Sequence, residues 1–121
     1  YRWRQGQLLR LTTDHSLVAQ LQRQGTLTAQ QAERSPQRHV LTRALGAEHV
    51  VRPTLQSIPL VHGDLLLLCT DGLSHVVDEH AISRCLHLCG QDCAEQVFRL
   101  VELANQAGGH DNITVLVLAI R

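Results

Sequence analysis

At 121 residues the chain has the length of one domain, and its 44% hydrophobic content is enough to build a core. Formal net charge is zero, so the charge balance gives no reason to expect a nucleic acid or an anionic membrane as partner. All the basic residues are arginines, which disfavours phosphoryl chemistries that depend on a lysine, and no apolar run reaches the ~20 residues that span a bilayer.

Neither a methionine nor a charged-then-apolar leader is present, so the sequence reads as an excised piece of a longer protein with the cytoplasm as default compartment. Three of the four cysteines, Cys85, Cys89 and Cys93, recur every four residues, which is helical spacing rather than a disulfide framework.

The opening "YRWRQGQLLRLT" predicts a hairpin turning at Gly6. "DHSLVAQLQRQG" predicts a helix capped by Asp14 or Ser16, with Leu17, Val18 and Leu21 on one face and Gly25 as its stop. In "TAQQAERS" Thr28 and Gln31 have capping-box spacing, and Pro36 closes that second short helix. Residues 39–46 predict a strand, as do residues 50–60, where Pro53 and Pro59 confine it to an edge.

After a turn at "VHGD", residues 65–70 predict a strand apolar on both faces and therefore central. Asp78 caps a helix carrying Ala81, Ile82, Cys85, Leu86 and Cys89, stopped by Gly90. Asp92 and Glu95 open a longer one with the stripe Ala94, Val97, Phe98, Val101 and Ala104, ended by Gly108-Gly109. "NITVLVLAI" predicts a buried strand. Strands and helices do not alternate as in βαβ units, so the expected class is α+β with a mostly antiparallel sheet.

Two stretches share one design: "LLLLCTDG" puts Asp71 at the end of an apolar strand, and "GGHDNITVLVLAI" puts Asp111 before another. If those strands are antiparallel neighbours, both carboxylates fall at one end of the sheet. Like charges held that close repel unless a cation lies between them, and oxygen-only donors suit Mg²⁺ or Mn²⁺. Asp-Gly and Asp-Asn are equally at home in ordinary turns, so spacing alone leaves both roles open.

"HGDLLLLCTDGLSHVVDEHAI" followed by "GGHDNITVLVLAI" resembles the metal-dependent type-2C serine/threonine protein phosphatases, the PPM family. "DHSLVAQLQRQGTLTAQQAERSPQRHVLTRALG" is similar to the segment that bacterial members carry before those motifs. The resemblance covers essentially the whole chain, in order. It implies an antiparallel β-sandwich flanked by helices, residues 1–121 being the C-terminal portion of one catalytic domain and about 14–38 its flap-like segment. Asp71 and Asp111 would be metal ligands of a two-metal Mn²⁺ or Mg²⁺ centre, with Gly72 permitting the tight turn and Asn112 supporting the site from behind.

The activity so implied is hydrolysis of phosphoserine and phosphothreonine in proteins by a metal-activated water. The partners implied are a phosphorylated protein and an N-terminal half holding the remaining metal motif and a phosphate-binding arginine, neither of which occurs here. His39 departs from the asparagine more usual in bacterial relatives. The chain alone is expected to be inactive.

Three other readings compete. Haloacid-dehalogenase-like phosphatases place a nucleophilic aspartate two residues before the Asp-Gly, where this chain has Cys69. Structural zinc on Cys85, Cys89, Cys93 and His87 competes with simple packing of small apolar side chains. A degenerate, non-catalytic sensing or protein-binding module is the alternative from another class. Of the scattered histidines, His110 beside Asp111 is the one within reach of the metal site's surroundings.

Overall fold

The computed structural model describes residues 1–47 and 49–121. In chain order the elements are β1 (Arg2–Arg4), β2 (Gln7–Leu9), α1 (Leu17–Arg23), α2 (Ala29–Arg34), β3 (Leu65–Cys69), α3 (Asp71–Ser74), α4 (Glu79–Leu88), α5 (Cys93–Gln106) and β4 (Val115–Ala119). Contacts divide them into two units: Tyr1–Leu11 with Ile58–Arg121, and Thr12–Ser57.

The first unit is an antiparallel sheet in the order β2-β1-β3-β4 with helices packed on one face, the expected α+β architecture. Gln5 and Gly6 turn the hairpin with φ of 49° and 84°, the paired left-handed conformation that a two-residue hairpin loop needs. β3 is central, as its unbroken leucine run predicts. Alternate residues face opposite ways. Trp3, Leu65, Leu67, Cys69, Val115, Val117 and Ala119 therefore meet Leu73, Val77, Ile82, Leu86, Leu100 and Ala104 in one core.

Asp78 and Asp92 cap α4 and α5 as expected, accepting from Ala81 N and from Ala94 N and Glu95 N. The buried stripe of α5 is phased differently from the expectation. Gln96, Leu100 and Ala104 are buried while Phe98 is 58% exposed and Ala94 lies at the surface. Gln96 explains the shift. Its Nε2 donates to Leu86 O (3.1 Å) and Gly90 O (2.7 Å), carbonyls that the end of α4 leaves without helical partners. A polar side chain with that task can occupy a core position that apolar patterning assigns elsewhere.

In the second unit Ser16 caps α1 and Thr28 with Gln31 closes a capping box on α2, both as expected. The strands expected at 39–46 and 50–60 are not formed. Residues 39–46 contribute isolated bridge positions at Leu41, which pairs with Ser16, and at Leu45, and residues 50–60 contain no strand. Val40, Leu41, Leu45, Val50 and Leu55 are exposed, so their β-forming side chains have no apolar surface to settle on, and Pro53 and Pro59 lack the N–H a ladder needs. Glu48, between those two stretches, lies outside the described residues.

Candidate metal centre

β3 pairs with β4 from Leu65↔Ala119 to Cys69↔Val115, so the strand that ends before Asp71 lies beside the strand that starts after Asp111. Both aspartates consequently stand at the same end of the sheet. Thr70 joins the two segments. Its N–H donates to Thr114 O (3.1 Å), its hydroxyl donates to Asn112 O (3.0 Å), and the same oxygen accepts from Thr114 N (3.0 Å). Being so engaged, Thr70 makes no side-chain cap on α3, although it occupies the N-cap position.

Asp71 opens α3, a four-residue helix where the sequence suggests a turn. Its carboxylate is exposed, although the leucine run leads directly to it. His75 Nδ1 lies 3.9 Å from Asp71 Oδ2, one turn along. Asp111 is exposed too, and its Oδ1 accepts from Asn112 N at 2.7 Å, which fixes the carboxylate against its own loop.

Gly72 is where the two segments touch. A Cβ there would fall on Asn112 O and within 2.9 Å of its carbonyl carbon, so only glycine lets the Asn112 backbone approach. Chain geometry then keeps the Cα atoms of Asp71 and Asp111 within about 14 Å of each other. Asn112 meets α3 through its carbonyl. The ring of His110 folds back over Gly108, whose φ is 122°.

The donor set suits a hard divalent cation: oxygen ligands only, both in contact with solvent, on turns held by Thr70. Among the described residues no group of three or more His, Cys, Asp or Glu side chains could by itself hold a metal ion. Cys85 sits in the core, where burial and the neighbouring Cys89 push its thiol up to about 12; Cys89 and Cys93 pack against that core.

The buried carboxylate of this unit is another residue, Asp64, at the opposite end of β3. It is fully buried and takes Arg4 as a fork, Nε to Oδ1 and Nη2 to Oδ2 at 2.6 Å each, with Val61 N donating to Oδ2 at 2.9 Å. The hydrogen-bonding guanidinium is the main cause that lowers its carboxyl to about 2, against the opposing effect of burial. In the sequence Asp64 is marked only as a turn residue of "VHGD". An arginine sixty positions away gives no local signal.

Fold and donor set together define the class: an α+β domain with an antiparallel sheet and two carboxylates at one end of it. A family described as Stage II sporulation protein E (SpoIIE) matches residues 3–121. The serine/threonine protein phosphatase PstP of Mycobacterium tuberculosis is 41% identical over 117 residues, which is 97% of this chain and 22% of that protein. The crystal structure of the PPM Ser-Thr phosphatase MsPP from Mycobacterium smegmatis, in complex with cacodylate, superposes with a TM-score of 0.88 at 43% identity, covering 100% of this chain and 51% of that one. The catalytic domain of PstP in complex with two manganese ions superposes at 0.83 with 38% identity, covering 97% and 47%.

The chain belongs to this family, the SpoIIE and PPM group of serine/threonine protein phosphatases. It spans about half the length of the solved structures it matches and 22% of PstP. Among the described residues no helix is long and apolar enough to cross a membrane.

Proposed function

We propose that these 121 residues form part of a metal-dependent phosphatase that hydrolyses phosphoserine and phosphothreonine in proteins, with Asp71 and Asp111 as metal ligands for Mn²⁺ or Mg²⁺. The observation that carries this reading is the β3–β4 pairing, which sets two exposed carboxylates on neighbouring turns stitched together by Thr70 and Gly72. A divalent ion held there would lower the pKa of a bound water, so that hydroxide would be available to attack phosphorus near neutral pH.

The chain's own residues supply binding and orientation. Asp71 and Asp111 offer the charge that retains the ion. The backbone N–H of Asn112 steadies Asp111, and Gly72 keeps the two turns in contact. Two carboxylates are fewer donors than a two-ion centre needs. We therefore assign the other ligands and the phosphate-binding arginine to a part of the protein outside these residues, its N-terminal half.

The test is made in the complete catalytic domain. Asp71→Asn and Asp111→Asn should each lower Mn²⁺-dependent hydrolysis of p-nitrophenyl phosphate at least a hundredfold, and calorimetric titration should show weakened Mn²⁺ binding. Unchanged turnover and metal affinity in both variants would remove these residues from the site.

A further inference from the structure

The single turn of α3 is closed by its own backbone: Leu73 N donates to Thr70 O at 3.1 Å and His75 N to Asp71 O at 2.9 Å. Gly72 and Leu73 are its buried residues. Positions 71 and 75 therefore stack on its outer side, both side chains about half exposed. His75 Nδ1 lies 3.9 Å from Asp71 Oδ2. Two donors bound to one divalent ion at ~2.0–2.2 Å can stand no more than about 4.3 Å apart, and adjacent ones stand about 3 Å apart. The observed separation falls inside the first bound, and exposure leaves the imidazole room to close to the second. Four residues is also the spacing at which two histidines on one helix face chelate zinc.

An ordinary surface ion pair would bring the same two groups together, as Arg99 and Glu95 come together on α5. What separates the two cases is position. Asp71 stands at the sheet end it shares with Asp111, where the proposed ion is held, whereas Glu95 and Arg99 lie along an exposed helix flank. Asp71 and His75 are only two donors, and among the described residues no three suitable side chains gather around one point. The pair completes nothing alone; it adds a nitrogen to a site whose other ligands are oxygens.

Resting on the reading of Asp71 as a metal ligand, we infer that His75 is a further ligand to the ion Asp71 holds, and that its nitrogen sets the preference of this centre for Mn²⁺ over Mg²⁺. Mg²⁺ takes oxygen donors in near-ideal octahedral geometry and gives up its waters reluctantly, while imidazole suits first-row transition ions. At an aspartate–imidazole chelate Mg²⁺ would exchange a water for a donor that replaces it poorly. Mn²⁺ would gain a ligand it accepts.

The test uses the complete catalytic domain loaded with Mn²⁺, whose electron spin echo is modulated by a directly bound imidazole nitrogen. Nitrogen modulation should be present in the unmodified protein and absent in His75→Ala and His75→Asp. By calorimetric titration His75→Ala should weaken Mn²⁺ binding about tenfold and Mg²⁺ binding about twofold or less, tenfold being the low end of what loss of even an outer partner costs a metal site. His75→Asp, with oxygen in place of nitrogen, should keep a bound ion and narrow the preference for Mn²⁺ about tenfold. Suppose Mn²⁺ binds in an Asp71-dependent way but shows no nitrogen modulation, or the modulation survives in both variants because His110 or another residue supplies it. Either result overturns the inference and leaves the proposed metal centre standing. Mn²⁺ binding indifferent to Asp71→Asn would overturn both.

Discussion

Asp64 shows how a single residue can couple the fold to pH. Its carboxyl, lowered by Arg4 to about 2 in the folded protein, sits below the ordinary carboxylate value of 3.8. A carboxylate with a depressed folded value contributes stability that is present above the unfolded value and lost as pH falls toward the folded one. Urea unfolding between about pH 4 and pH 2 should therefore steepen on Asp64's account. Asp64→Asn should be less stable at pH 7 and should lose part of that acid slope; an unchanged slope would mean the fork does not couple to folding. Gly72 acts by volume rather than charge. Gly72→Ala must push the Asn112 carbonyl away, and overpacking of this kind costs about 1–3 kcal/mol. A lowered Tm together with weakened Mn²⁺ binding in the complete domain is the expected result. A change in Tm alone would separate the turn's packing from the proposed site.

Among the elements, α5 carries the sharpest test because patterning and structure disagree on its buried face. Leu100 is fully buried and Phe98 58% exposed, so Leu100→Ala should cost about 2–5 kcal/mol and Phe98→Ala about 0.5 kcal/mol or less. Equal losses by chemical denaturation would restore the phasing that hydrophobicity alone suggests. The existence of α1, α2, α4 and α5 is legible because their signals are local: Ser16, Thr28, Asp78 and Asp92 announce caps within three residues, whereas the four-residue α3 has no side-chain cap to announce it. β3 and β4 are legible as apolar runs, and antiparallel pairing between them puts their Asp-Gly and Asp-Asn ends at one end of the sheet. What the sequence hid depends on distant partners. Val40, Val50 and Leu55 look like strand residues, but among the described residues no strand forms around them. The Arg4–Asp64 fork and the Thr70–Asn112 stitch link positions sixty and forty-two residues apart.

At the scale of the molecule, the sheet of the first unit has two unlike faces. Helices cover one. Across the other, the register aligns Leu9, Arg2, Leu66 and Leu118, then Leu68 with Leu116, and Leu9, Leu68, Leu116 and Leu118 are each about half exposed. β4 is also an edge strand, five apolar residues with no charge or proline to deter another chain from pairing with it. Apolar face and open edge together favour association of the isolated chain. Sedimentation of the 121 residues alone should show mass rising with concentration, and Leu68→Ser/Leu116→Ser should shift the equilibrium toward monomer. The same preparation should bind Mn²⁺ weakly and turn over phosphoserine peptides negligibly, since two carboxylates are only part of the ligand set proposed. Supplying the N-terminal half of the catalytic domain in trans should suppress self-association and restore turnover together, because one partner would cover the leucine face and complete the site. Turnover restored while self-association persists would separate that face from assembly of the site. A monomer active with Mn²⁺ on its own would show that the ligands lie elsewhere in the chain.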